Sequence, residues 1–557
     1  MTRFFHRSDW QWRQQYGAIA LLAGLVLGGL ALKLPAISNA NIPTVLPGGE
    51  QKNPLAMAIA RAERRQDQVQ QIQAENFDLK RFPVNSQTEK HWRNILWTTA
   101  IVQPKEDFVA DAIAQLLGMS DRTGLSNAHV RTIDMATQVG TQLYLSDPIF
   151  YAKIGQQFLH TLERSLDPQW VAVSLSTLTK AGMTLDERQR LIELVKRRFP
   201  NWANNVVLQT TITGIDPSSP PSSLPPLQDL LTWAIAPQQL QLYVFCRPDR
   251  QILCQSVLKD QNGEFVRQDG QLWTVPLLLR SLHGLSWNFV RGQTPQGIYR
   301  IEGSVPQPDT LFFRAYGQFS LINLYVPFES GAKQFLPGKP GRFTGSLSDY
   351  QALLPPSWRR YVPIQESYWA GKIGRSLFRI HGTGESPDFF SGKQNNPDTY
   401  NWNPTIGCLS ALELYNEKGQ LLQADMPKIL NALERVGGQD FAGYLIVVDL
   451  PGTSKQPVSL DEINAAIAGN PPNGSIKSRI NTQPVTPRVI VPRSPITQQI
   501  SSFSDSTPGS FLLTPQSEQI NHTAVLTPNP ETRTDSSLPP SVNSEPPLPT
   551  QSQPLAY

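Results

Sequence analysis

The chain is poor in cysteine, in charge bias and in long apolar runs. Three cysteines in 557 residues exclude a disulfide framework and a Cys-rich zinc module. Lys and Arg number 49 against 45 Asp and Glu, a net charge of +4. Nucleic-acid binding needs concentrated positive charge, so no nucleic-acid partner is expected. A single long apolar run excludes a multi-span transporter, and the composition excludes a coiled coil. There is no Walker-type loop, no dinucleotide fingerprint and no metal-ligand spacing, so neither a cofactor nor a metal is expected. His91, His129 and His160 are scattered and read as structural or surface residues.

What the chain does have is proline, 48 residues, of which 16 lie beyond Asn470. That end lacks Trp and sustained periodicity and cannot bury enough apolar surface to offset ordering entropy. Residues 453–557 read as a low-complexity disordered tail. At the other end, Arg3, Arg7 and Arg13 precede an apolar run from Gly17 to Leu32. Positive charge before such a run holds the start in the cytoplasm and sends the rest across. Residues 1–40 therefore read as a membrane anchor or a signal peptide, with Ser38-Asn39-Ala40 as the small-residue cleavage site. Either reading places the rest of the chain in the cell envelope, on the periplasmic side, with the anchor holding it to the inner membrane.

Between these ends, residues 41–85 read as a stalk and 86–210 as a helical domain. Asp147-Pro148 and Asp167-Pro168 look like N-cap and first-turn pairs, and Thr184-x-x-Glu187 has the capping-box spacing. Short capped helices suggest an α-hairpin array, which leaves room for a protein partner of this segment. Residues 211–229 form a proline-rich linker. Residues 230–452 then turn strand-like at Leu240–Phe245, Gln251–Leu258, Gly297–Ile301, Phe319–Val326 and Tyr444–Asp449. One helix falls between these strands, capped at Asp425, with Pro427 in its first turn and Gly437-Gly438 at its end.

Cys246 and Cys254 flank a turn, Arg247-Pro-Asp-Arg, and are either a cross-hairpin disulfide or two small core hydrophobes. Cys408 differs. It follows Gly407, whose lack of a side chain lets the backbone turn sharply and expose a thiol beside N–H groups. His381 stands at a strand end before Gly382. An imidazole near a thiol stabilises the thiolate and carries protons in acyl transfer.

Three motifs come in order: Gly292-Gln-Thr-Pro-Gln-Gly-Ile-Tyr-Arg-Ile301, Ile380-His-Gly-Thr383 and Thr405-Ile-Gly-Cys-Leu-Ser410. Together they resemble the L,D-transpeptidase (YkuD-type) catalytic domain over about residues 235–452. The resemblance implies a mostly β catalytic domain with a packed helix, an L,D-transpeptidase-like β-sandwich, preceded by the all-α segment. It implies a cysteine-dependent acyltransferase that crosslinks peptidoglycan stem peptides through a thioester on Cys408. His381 would take the thiol proton, the Gly382 carbonyl would orient the imidazole, and N–H groups at Gly407 and Cys408 would bind the oxyanion. Thr383, Thr405, Ser410 and Arg379 would contact substrate. With water as acceptor the activity becomes L,D-carboxypeptidase. A non-catalytic peptidoglycan-binding protein is the alternative, and a structural protein acting through its helices a third reading.

The chain departs from the family pattern in three places. Ser410 stands where the family often has Arg, with Arg375 or Arg379 as substitutes, although surface solvation is the simpler role for both. Ile406 stands where many members have His. Cys408 follows His381 by 27 residues, a longer gap than usual, and the insertion Gly384–Asn403 carries Phe389, Phe390, Tyr400 and Trp402 as a lid or as an ordinary loop. Lys333, Lys339 and Arg342 read as solvated loop charge.

Overall fold

The computed structural model describes residues 53–218, 223–306, 318–383, 402–453 and 455–469. The first part is helical: α1 (Ala58–Gln70), α2 (Glu89–Val102), α3 (Asp107–Gly118), α4 (Asn127–Ser146), α5 (Ala152–Arg164), α6 (Pro168–Lys180), α7 (Leu185–Arg198), α8 (Val206–Ile215) and α9 (Leu227–Thr232). Caps set several of these boundaries. Asp167 accepts from the amides of Gln169 and Trp170 with Pro168 in the first turn, and Thr184 and Glu187 close a reciprocal capping box. Asp147 instead ends α4, and its carboxylate accepts from Phe150 in the turn before α5. From α2 on, even-numbered helices α2, α4, α6 and α8 pack side by side in one layer, with α3 and α5 in a second.

The second part is a sheet of β1 (Leu240–Cys246), β2 (Cys254–Lys259), β5 (Thr274–Leu278), β6 (Gly297–Val305), β7 (Leu321–Tyr325), β8 (Phe378–Thr383), β9 (Leu409–Tyr415), β10 (Leu421–Ala424) and β11 (Ala442–Asp449), with β3 (Arg267–Gln268) and β4 (Gln271–Leu272) as a separate hairpin. The order β9-β5-β2-β1-β11-β6-β7-β8 returns to β9, because β8 pairs with β9 in parallel, Ile380 opposite Leu409 and His381 opposite Ser410. The fold is therefore a closed eight-stranded barrel with many helices. The β-sandwich implied by the resemblance is overturned. A sandwich keeps two sheets with separate edges, whereas the β8–β9 pairing joins the last two edges and removes them.

One face of every barrel strand points inward. Leu242, Val244, Leu258, Leu277, Tyr299, Ile322, Ile380, Leu409 and Leu445 share one buried cluster. Ile429, Ala432 and Leu433 of α12 (Met426–Gly437) join it, and Gly438 at φ 79 terminates that helix. The outward residues Tyr243, Phe245, Tyr444 and Ile446 are buried under α9, α10 (Leu347–Gln351), α11 (Glu366–Lys372) and α13 (Leu460–Ile467). β1 and β11 are thus covered on both faces, which is why they read as unbroken apolar runs. Cys246 and Cys254 are bonded (S–S 2.06 Å) and also fully buried, so both readings of that pair apply at once.

The two parts are joined through one barrel connection that enters the helical core. The β5–β6 connection lies across the layer of even-numbered helices. His283 bonds Gln142 (2.9 Å), Ser286 meets Ser176 (3.4 Å), Lys180 reaches the Gly284 carbonyl (2.9 Å) and Asn288 bonds Thr211 (2.8 Å). Leu282, Leu285 and Phe289 complete the helical core. One face of the helical segment is covered by the chain's own loop. The segment before α1 is also docked, with the Asn53 amide on the Gly419 carbonyl (2.8 Å) and the Ala58 amide on Glu417 (2.9 Å).

Among the described residues no helix is long and apolar enough to cross a membrane. The run from Gly17 to Leu32 lies outside them, as do the tail beyond 469 and residues 384–401 of the insertion. The membrane partner, the anchor and the envelope localisation therefore find no support in the fold and are set aside.

Candidate functional site

Cys408, His381 and their neighbours gather where β8 and β9 run parallel. Phe378, Ile380, Leu409 and Ala411 point into the barrel. The alternation of a strand turns Arg379 and His381 to the outer face of β8, two residues apart, with Cys408 at the entry to β9. All three are half-buried.

Gly407 makes that entry. Its φ is 131, and a Cβ there would lie 2.6 Å from Nη2 of Arg375 and 3.2 Å from the Phe378 ring. Both the left-handed backbone and the space require glycine. The turn is braced from within. The Thr405 hydroxyl donates to the Cys408 carbonyl (2.6 Å) and accepts from the Gly407 amide (3.2 Å), while Thr294 donates to the Gly407 carbonyl (2.9 Å). The Gly407 N–H expected in an oxyanion hole is thereby spent inside the chain, and Thr405 is a buried brace rather than a substrate contact.

Arg375, assigned from sequence to the surface, is buried. Its guanidinium donates to the carbonyls of Trp287, Gln293 (2.8 Å) and Gly292 (2.9 Å) and stacks 4.8 Å from the Phe378 ring. Burial lowers its pKa to about 10, so it remains cationic. Ser410 is fully buried opposite His381. Thr383 ends β8. Trp402, from the insertion, is buried beside Leu278 and Leu412.

The Cys408 sulfur donates to the Leu377 carbonyl (3.7 Å). Leu377 holds a left-handed φ of 64, and its N–H is fixed by Glu329 (2.8 Å). Burial raises the thiol pKa, and Glu329 adds to the rise against the pull of the Arg379 and Arg375 charges and the Arg379 amide. Burial also lowers the His381 pKa, opposed by the Gly382 carbonyl, which lies 3.1 Å from Nδ1. At neutral pH the pair is a protonated thiol and a neutral imidazole, and no hydrogen bond joins them among the described residues. Glu329, which the sequence did not mark, is raised to about 7 by burial against the Leu377 and Val326 amides.

These findings correct the functional expectation. Cys246 and Cys254 are joined and unavailable as nucleophiles. The remaining thiol, on Cys408, is held in its unreactive protonated form, facing a carbonyl instead of an imidazole. The barrel replaces the sandwich on which the implied reaction was built. The cysteine acyltransferase, its carboxypeptidase variant and the peptidoglycan partner are withdrawn on these grounds. No group of metal-ligating side chains exists among the described residues.

The class that the geometry defines is a closed barrel joined to a helical array, with a cationic, imidazole-bearing patch at the β8–β9 seam, one of its two parallel strand pairings, the other being β1–β11. Compared with known families, with characterised proteins and with solved structures, the chain finds no match in any of the three.

Proposed function

We propose that the β8–β9 seam is a binding site for a carboxylate-bearing ligand. The observation that carries this reading is the outward pairing of Arg379 and His381 beside Cys408. Arg379 spends one N–H on the Phe378 carbonyl (2.6 Å), and its other donors make no hydrogen bond or ion pair among the described residues. His381 Nε2 likewise has no such partner, while Nδ1 faces Gly382. A planar guanidinium with open donors suits a carboxylate, and a half-buried setting strengthens that bond. Arg375, Thr294 and Thr405 hold the seam rigid from behind, the arrangement a preformed site needs. We also propose that the three ordered motifs mark kinship of this segment with the L,D-transpeptidase domain, in descent rather than in reaction.

The test is a titration with succinate, followed by amide shifts in the labelled protein. Shifts at Arg379 and His381 are expected, with affinity falling about tenfold or more in Arg379→Ala and unchanged in Lys418→Ala on the β9–β10 turn. A protein whose seam amides do not move contradicts the reading. So does rapid alkylation of Cys408 at neutral pH that depends on His381, which would restore a nucleophile.

A further inference from the structure

On the inner face of β9, at the end of the barrel beyond the seam, lies a carboxyl that the binding reading does not use. Glu413 is fully buried. Its Oε1 accepts from the Gln318 amide (2.8 Å) and from the Tyr415 hydroxyl. Its Oε2 is buried and makes no hydrogen bond among the described residues. That oxygen lies against Gly382, where a Cβ would come within 2.0 Å of it. Gly382 is the residue whose carbonyl faces Nδ1 of His381.

We infer that Glu413 is a positioning residue for His381: neutral, it seats Gly382 and its carbonyl under the imidazole, and its ionisation disturbs that seat. The inference rests on the binding reading only for its consequence, the control of ligand affinity. Both oxygens constrain the argument. Oε1 already accepts two hydrogen bonds, so the proton resides on Oε2. Losing it leaves a bare negative oxygen against a peptide backbone in a water-poor barrel end, a costly state unless the carboxylate moves or water enters.

Among the described residues no cation pairs with this carboxyl. On β9 the carboxyl faces only Tyr415, whose hydroxyl also bonds Asn53. From the loop before β7 it meets the Gln318 amide, and from β8 only the backbone of Gly382, since Arg379 and His381 project to the opposite face. Asp425, just after β10, is paired with Lys428 (2.7 Å). Burial accordingly raises the Glu413 pKa to about 7, with Tyr415 and the Gln318 amide pulling the other way.

The experiment uses wild type and Glu413→Gln, which keeps the shape and both accepted bonds while fixing the neutral state. The first readout is the His381 ring C–H shift against pH. Wild type should show the ring's own titration below 6.5 and a second inflection near 7 that Glu413→Gln lacks. The second is succinate affinity, which should fall roughly tenfold from pH 6 to pH 8 in wild type and stay level in the variant. A third follows the Glu413 carboxyl carbon in wild type, so a variant that fails to fold does not block the test. A carboxyl titrating near 4.5, or a second His381 inflection that persists in Glu413→Gln, overturns the inference. Loss of succinate binding with the Glu413-dependent inflection intact sinks the binding reading and leaves the positioning role standing.

Discussion

The helical array and the barrel each bury a titratable group, of opposite kinds. In the array's core it is the imidazole of His283, from the β5–β6 connection, fully buried, with Nδ1 on Gln142 and Nε2 making no hydrogen bond among the described residues. Burial lowers its pKa to about 3, with the Arg291 charge adding to the effect. In the barrel it is the Glu413 carboxyl, raised to about 7. Burial disfavours charge in both, so one pKa falls and the other rises. The joint between helices and barrel is therefore acid-sensitive, whereas the barrel end is sensitive to rising pH.

The largest expected effect tests that contrast. Between about pH 6.5 and 3 the unfolded chain binds a proton on His283 that the folded chain refuses, so stability is lost as pH falls through that window. The full loss is roughly 5 kcal/mol. Urea unfolding at stepped pH should show it, and His283→Gln should flatten it. For Glu413 the folded chain keeps a proton that the unfolded chain releases, so stability declines as pH rises from about 4.5 to 7. The decline is roughly 3 kcal/mol and is absent in Glu413→Gln. Equal slopes of one sign in both regions would break the comparison.

Next in size is Arg375→Met, which strands the carbonyls of Trp287, Gly292 and Gln293. About 3 kcal/mol should be lost. Because those carbonyls lie within and just after the stretch that enters the helical core at Leu282, Leu285 and Phe289, hydrogen exchange should quicken in both parts together. Exchange confined to the barrel would mean that the two parts are not coupled through this residue. Opening the Cys246–Cys254 bond by the double alanine change should cost about 2.5 kcal/mol, the loop-closure entropy for a separation of 8 residues. It should loosen α13 first, because Arg247 in that loop holds Glu462 (2.9 Å) and the carbonyls of Pro451 and Gln456. The smallest effect is Thr184→Ala in the capping box of α7, about 1 kcal/mol by thermal melting, felt in the array alone.

The same contrast governs what could be read from the residues. Helices of the array announce themselves through Asp167, Thr184 and Glu187, because a cap is a contact within four residues. Strand identity in the barrel was legible from apolar runs such as Leu240–Phe245. Closure was not, since the β8–β9 pairing depends on a parallel register between segments separated by an insertion, and no local pattern encodes it. At the seam the motif around Gly407 and Cys408 marked a sharp turn, which the structure places at the entry to β9. The role of Arg375 was misjudged because an arginine among glycines looks solvated until three distant carbonyls converge on it. Glu329 and Glu413 carried no signal at all, as a lone carboxylate in a strand or loop reads as surface charge. Thr294 lay within a motif, yet its bond to Gly407 spans more than a hundred positions.

Composition, caps and alternation thus determined from the residues alone which segments are helix and strand, while the pairing of Cys408 with His381 was only what the resemblance implied. Tertiary structure alone decided that the sheet closes, that a barrel loop fills the helical face, and that the thiol stays protonated beside a neutral imidazole. The division follows from range: local hydrogen bonds and periodicity are written in neighbouring residues, whereas burial and desolvation depend on which distant surfaces meet.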